Sequence, residues 1–104
     1  MAQKLTEADF AAAVAKSEKL SLVDFYTDSC TPCKRLAPVL GEFEDEYAGV
    51  VAVYKVNAAQ ETALVNQYGI MSTPTLVLFR GGTELDRKVG VQTKDALLAW
   101  VQSF

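Results

Sequence analysis

An α/β domain, one central sheet with helices on both faces, is the fold class that the sequence predicts, and three observations predict it. Strand-like and helix-like segments alternate along the chain. Leu20-Ser21-Leu22-Val23-Asp24-Phe25-Tyr26 is a nearly continuous run of large apolar groups, the mark of a strand covered on both sides. The helix candidates carry apolar faces that a sheet would bury. A chain of 104 residues, half of them apolar and 22% charged, has the size and composition of one globular domain, so residues 1–104 read as a single domain.

The elements follow in order. A weak strand comes first. Thr6-Glu7-Ala8-Asp9 then starts a helix, with a hydroxyl at the N-cap and acids in the first turn, and Phe10 and Val14 give it a modest apolar face. The buried strand Leu20–Tyr26 is next. From Pro32 to Tyr47 the apolar positions Leu36, Val39, Leu40, Phe43 and Tyr47 share one helix face, while Glu42, Asp45 and Glu46 fall on the other. Pro38 removes a backbone donor within it and predicts a kink. Val50 to Val56 is rich in β-branched residues and reads as a strand; Gln60 to Tyr68 is a short helix that Gly69 is placed to end. Thr75–Phe79, the turn Arg80-Gly81-Gly82-Thr83 and the more polar Glu84–Val89 make an antiparallel hairpin. Thr93 caps a last helix, in which Leu97, Trp100, Val101 and Phe104 recur at helical spacing.

Bulk properties exclude several classes of function. The net charge of −3, with no basic patch, argues against a nucleic-acid surface. Met1-Ala2-Gln3-Lys4-Leu5-Thr6-Glu7 has no apolar run behind its lysine, so no secretory signal is read there, and no apolar stretch approaches a membrane span. A cytoplasmic protein without a membrane partner is the expectation. A core of this size needs no disulfide staple.

Chemistry concentrates in Ser29-Cys30-Thr31-Pro32-Cys33-Lys34. A Cys-x-x-Cys pair directly after a buried strand, at a helix start, has a specific meaning. The thiolate is the nucleophile of disulfide exchange, and unpaired N–H groups with the positive end of the helix dipole favour it. Cys30 sits at the exposed end; Cys33 lies one turn on, close enough to resolve a mixed disulfide. Thr31 supplies a hydroxyl that can cap, and Pro32 pre-sets the backbone where no donor is missed. Lys34 adds positive charge, weakened by solvent. Three other readings compete. Zinc or iron–sulfur ligation wants more ligands than a chain with two cysteines and no histidine holds, short of a site shared across a dimer. An inert buried pair and a plain structural bridge are the others. The context favours redox chemistry, with no metal and no cofactor.

Val23-Asp24-Phe25-Tyr26, Cys30-x-Pro32-Cys33-Lys34, Ala37-Pro38, Tyr68-Gly69-Ile70, Thr73-Pro74-Thr75-Leu76 and Val89-Gly90 resemble the thioredoxin family in order and spacing, over almost the whole chain. The resemblance implies the thioredoxin fold, a mixed five-stranded sheet flanked by four helices. It implies that Cys30 is the attacking thiolate, Cys33 the resolving thiol, and Asp24 a buried carboxylate behind Cys33 that helps move its proton. An ionised carboxylate in an apolar strand is costly, so its pKa should rise; an outward-facing Asp24 is the bland alternative. Lys55 matches the lysine that pairs with this carboxylate, and Pro74 the cis-proline facing the dithiol, which leaves the Thr73 backbone free to receive a partner's extended chain. Without the resemblance, Pro74 merely starts its strand and Gly90 is an end-of-strand turn. With it, Gly90 and Val91 form a third side of the docking groove.

The chain departs from the family at three places. Ser29 stands where tryptophan is usual, Thr31 where glycine is usual, and Tyr26 where a second tryptophan is usual. The surface around Cys30 is therefore smaller and more polar, and Ser29 and Thr31 join the docking residues. The function implied is a monomeric protein-disulfide reductase in cell redox homeostasis and electron transport, with disulfide-containing clients and a thioredoxin reductase as electron donor. The alternatives are a dedicated reductase or oxidant for few partners, and a docking module whose cysteines sense redox state or do nothing.

Overall fold

A strand buried on both faces organises the structure, a computed structural model that describes residues 2–104; Met1, the first residue of the N-terminal stretch read above, lies outside them. The strands are β1 (Gln3–Lys4), β2 (Leu20–Tyr26), β3 (Val51–Asn57), β4 (Thr75–Arg80) and β5 (Thr83–Val89). They form one mixed five-stranded sheet in the order β1-β3-β2-β4-β5. β2 pairs in parallel with β3 and antiparallel with β4, and β1 joins β3 in parallel. Four helices flank the sheet: α1 (Glu7–Phe10), continuing into a π-helical stretch Ala11–Ala15, then α2 (Thr31–Tyr47), α3 (Thr62–Tyr68) and α4 (Lys94–Gln102). This is the expected α/β architecture, with element ends shifted by up to two residues.

Side chains alternate across a strand, so β2 splits its residues between two cores. Leu20 and Leu22 pack with Leu36, Leu40 and Phe43 of α2 and with Leu97, Trp100 and Val101 of α4. Val23 and Phe25 face the opposite way, against Phe10, Val14, Leu64 and Ile70. Asp24 falls in the Leu20–Leu22 series and therefore under α2. That explains how one carboxylate sits in an otherwise apolar strand: the period of two leaves it no other face.

The edges are tied down by polar contacts. A bulge at Leu78/Phe79 shifts the β4–β5 register from Leu78↔Asp86 to Phe79↔Glu84. Across it the Arg87 guanidinium grips both Glu84 oxygens, at 2.7 and 2.8 Å, and donates to the Tyr68 carbonyl at the end of α3, at 2.8 Å. Trp100 Nε1 donates to Asp86 at 2.8 Å, which fixes α4 to β5. In the hairpin turn, Gly82 has φ +80° and a Cβ there would stand 2.9 Å from the Ala15 Cα. Glycine is needed for both the turn and the close approach.

Three local expectations are corrected. The Thr6 hydroxyl does not cap α1; it donates to the Asp9 carboxylate at 2.9 Å, a stronger acceptor in reach. Phe104 lies beyond the end of α4 and is 44% exposed, because the helix closes at Gln102 with Ser103 bonded back to Trp100. Val50 precedes β3 rather than starting it and is exposed. Two capping expectations hold: Thr93 Oγ1 accepts from the Ala96 N–H at 3.1 Å, and Gly69 ends α3 at φ 61°.

Leu36 is fully buried between α2 and the sheet. Leu36→Ala should destabilise the oxidised protein by about 2–5 kcal/mol, read as a lowered midpoint in guanidinium unfolding.

Candidate active site

The site is assembled where β2 ends and α2 begins. Cys30 is the N-cap of α2, extended at φ −89° and ψ 109°, and its sulfur accepts the Cys33 N–H at 3.2 Å. The cap is therefore Cys30 Sγ and not the Thr31 hydroxyl, since Thr31 already lies inside the first turn. The consequence is chemical: one of the helix's unpaired donors is aimed at the reactive sulfur, where it favours the thiolate over the thiol. Pro32, in the first turn, forfeits no hydrogen bond. Cys30 and Cys33 are joined as a disulfide with Cα atoms 5.2 Å apart. Cys33 is buried and Cys30 half-buried, the asymmetry that an attacking and a resolving sulfur require.

Antiparallel pairing brings the second wall. Phe25 near the end of β2 is opposite Thr75 at the start of β4, so the residues before β4 arrive beside the cysteines. The Thr73–Pro74 peptide is cis. The Thr73 carbonyl lies 3.4 Å from Cys30 Sγ, a contact that a reduced Cys30 can turn into an S–H donation. Pro74 is buried, and its carbonyl accepts the Gly90 N–H at 2.9 Å, with Gly90 at φ +94°. Val91 follows and is 39% exposed. Ser29 and Thr31, on either side of Cys30 in the chain, are exposed.

Behind the cysteines, Asp24 is 5% exposed, and its Oδ1 has no hydrogen-bond partner among the described residues. Burial raises its pKa from 3.8 to about 7, against an opposing pull from the Lys55 ammonium, its neighbour in register on β3. Lys55 Nζ also stands 5.6 Å from the Tyr26 ring centroid, over an aromatic face. Asp24, Cys33, Lys34 and Lys55 line one cavity of about 200 Å³. The Asp24 carboxylate and Cys33 thus border the same space.

The structure brings together Cys30, Cys33, Pro32, Asp24, Lys55, Lys34, Thr73, Pro74 and Gly90. Ser29 and Thr31, which flank Cys30 in sequence, and Val91, which follows Gly90, are exposed. Sequence reasoning missed Asn57, buried at the end of β3 opposite Tyr26. Its side chain accepts from the Ala59 N–H at 3.0 Å and donates to Asp28 at 3.4 Å. The signal was an Asn where a β-branched strand gives way to Ala58-Ala59, an Asx-turn pattern. It missed Asp28 as well, which shares the cavity with Asp24. Burial and then the Asp28 charge push the Tyr26 phenol upward, against a hydrogen bond with Asn57.

Comparison with known proteins agrees with this geometry. The family model described as Thioredoxin matches residues 1–103. A thioredoxin of Rickettsia felis is 40% identical over 101 residues, covering 97% of this chain and 96% of that protein. One of Alicyclobacillus acidocaldarius is 43% identical over 95 residues, with 91% and 90% covered. Thioredoxin 1 of a Nostoc species is 40% identical over 96 residues, with 92% and 90% covered.

Asp24 makes stability depend on pH. An unfolded aspartate ionises near ~3.9, whereas the folded one holds its proton up to about 7. Between those values the unfolded chain has given up a proton that the folded chain keeps, so stability falls as pH rises from ~4 through 7. Asp24→Asn should match wild type near pH 4 and exceed it at pH 8 by a margin on the order of 4 kcal/mol. Parallel denaturant titrations across that range check it.

Proposed function

Since the chain belongs to the thioredoxin family and is a thiol–disulfide oxidoreductase that reduces protein disulfides, we propose the following roles for its residues. The Cys30 thiolate attacks one sulfur of a client disulfide; the client S–S bond breaks, a Cys30–client bond forms, and the other client sulfur leaves as thiolate. Asp24 then takes the Cys33 proton. The Cys33 thiolate attacks Cys30 Sγ, releases the second client thiol and closes the Cys30–Cys33 disulfide. Two electrons have passed from the dithiol to the client. A thioredoxin reductase returns them.

The observation that carries this reading is the shared cavity: Cys33, only 5% exposed, borders the same space as a carboxylate whose pKa burial raises to about 7. A base with a pKa near the working pH is the efficient one. Lys55 holds Asp24 within that range by opposing the effect of burial. Lys34, exposed beside the cavity, adds a positive field felt by the thiolate. Pro32 starts the helix that presents Cys30. Thr73, Pro74, Gly90 and Val91 receive an extended stretch of the client by backbone pairing. Ser29 and Thr31 make the opposite bank polar, which favours a narrower client set than an aromatic bank would. No metal or cofactor enters this scheme.

The protein acts as a monomer in the cytoplasm on this reading. Among the described residues no helix is long and apolar enough to cross a membrane.

Single substitutions separate the two cysteines. Cys30→Ser should abolish reduction of a model protein disulfide, and Cys33→Ser should accumulate a covalent adduct with the client, visible on a non-reducing gel and released by dithiothreitol. An active wild type whose Cys33→Ser variant traps nothing would reverse or remove the assigned roles.

A further inference from the structure

Few large apolar side chains are exposed among the described residues, and three of those that are lie around Pro74. Met71 is 96% exposed, two residues before Thr73. Val89, 61% exposed, is paired with Thr75, and Val91 follows the glycine bonded to the Pro74 carbonyl. Ser29 and Thr31, the neighbours of Cys30 in sequence, are exposed and polar.

Met71 is exposed on a fixed backbone rather than on a loose one. Ile70 before it is buried, with its N–H bonded to the Val65 carbonyl at 3.0 Å. Ser72 after it has its carbonyl held by Thr75 Oγ1 at 2.6 Å. A segment pinned on both sides holds an apolar side chain out to solvent at a constant place. Such a group is preorganised to bind, and the flexible thioether adapts to differently shaped neighbours.

The chemistry of Cys30 determines what can lie there. Attack requires the client sulfur to reach Cys30 Sγ, which is 3.4 Å from the Thr73 carbonyl. An extended client chain alongside residues 71–73 advances about 3.3 Å per residue, and side chains two apart share a face. A client cysteine directed at Cys30 therefore directs the residue two positions away toward the same surface of the protein.

We propose that Met71 is a selectivity-determining residue, forming an apolar subsite for the client side chain two positions from the attacked cysteine. The occupant is an extended segment of a disulfide client with an apolar residue at that position, and Val91 continues the apolar bank beyond it. This rests on the disulfide-reductase reading above and adds the preference that the polar Ser29–Thr31 bank cannot supply.

The test uses short peptides dimerised through one disulfide, with Leu or Ser two positions before or after the cysteine, and dithiothreitol as recycling reductant. The Leu-to-Ser ratio of kcat/KM is measured within each variant, so a general loss of activity does not move it. Wild type should favour Leu at one of the two positions by about fivefold, a partial burial of one side chain. Met71→Leu should keep the preference and Met71→Ser should bring the ratio close to one. A wild-type ratio of one at both positions, or an unchanged ratio in Met71→Ser, overturns the subsite while leaving the reductase reading in place. Failure of wild type to reduce any peptide or oxidised glutathione would overturn both.

Discussion

Everything at the active site depends on β2 lying between a parallel and an antiparallel neighbour. The parallel neighbour, β3, puts Lys55 beside Asp24 and Asn57 beside Tyr26. The antiparallel neighbour, β4, starts where β2 ends, so Thr73 and Pro74 meet the cysteines that follow β2. A parallel β4 would carry Pro74 to the far edge of the sheet. One pairing choice thus brings three separate stretches of chain together around Asp24 and the cysteines, and α2 closes the arrangement by taking Cys30 as its cap.

The same strand accounts for the tension between stability and function. Burying a carboxylate without a full set of hydrogen bonds is unfavourable, and Asp24 keeps its proton to about pH 7 for that reason. A paired, fully satisfied aspartate would make the fold firmer and leave the carboxylate ionised, too weak a base for a thiol. Lys55 moderates the penalty without removing it, and its contact with the Tyr26 ring gives the ammonium a second partner. Here tyrosine replaces the family's usual tryptophan and retains an aromatic face for the cation.

Much of this was legible in the residues. The apolar run at β2 and the helical spacing from Leu36 to Phe43 disclosed a two-sided sheet because burial acts through simple periodicities. Asp24 stood out as the single charge within that run. The cis peptide before Pro74 and the partner of Lys55 came through family resemblance, since neither leaves a local signature. What could not be read was competition for hydrogen bonds and exposure. Whether Thr31 or Cys30 caps α2 turns on one residue of helix phase, and Thr6 chose a carboxylate over the backbone. The sequence offers no signal for the exposure of Met71, which follows from the burial of Ile70 and the anchoring of Ser72 on either side.

The central claim is that a buried carboxylate takes the proton that frees Cys33 to resolve the mixed disulfide. The direct measurement is the single-turnover rate of resolution, from a preformed Cys30 adduct, as a function of pH in wild type and Asp24→Asn. The account predicts a wild-type rate that climbs through about pH 7 and a variant slowed by roughly 10²-fold or more at neutrality, the usual worth of a positioned base. Superimposable profiles for the two proteins would contradict it.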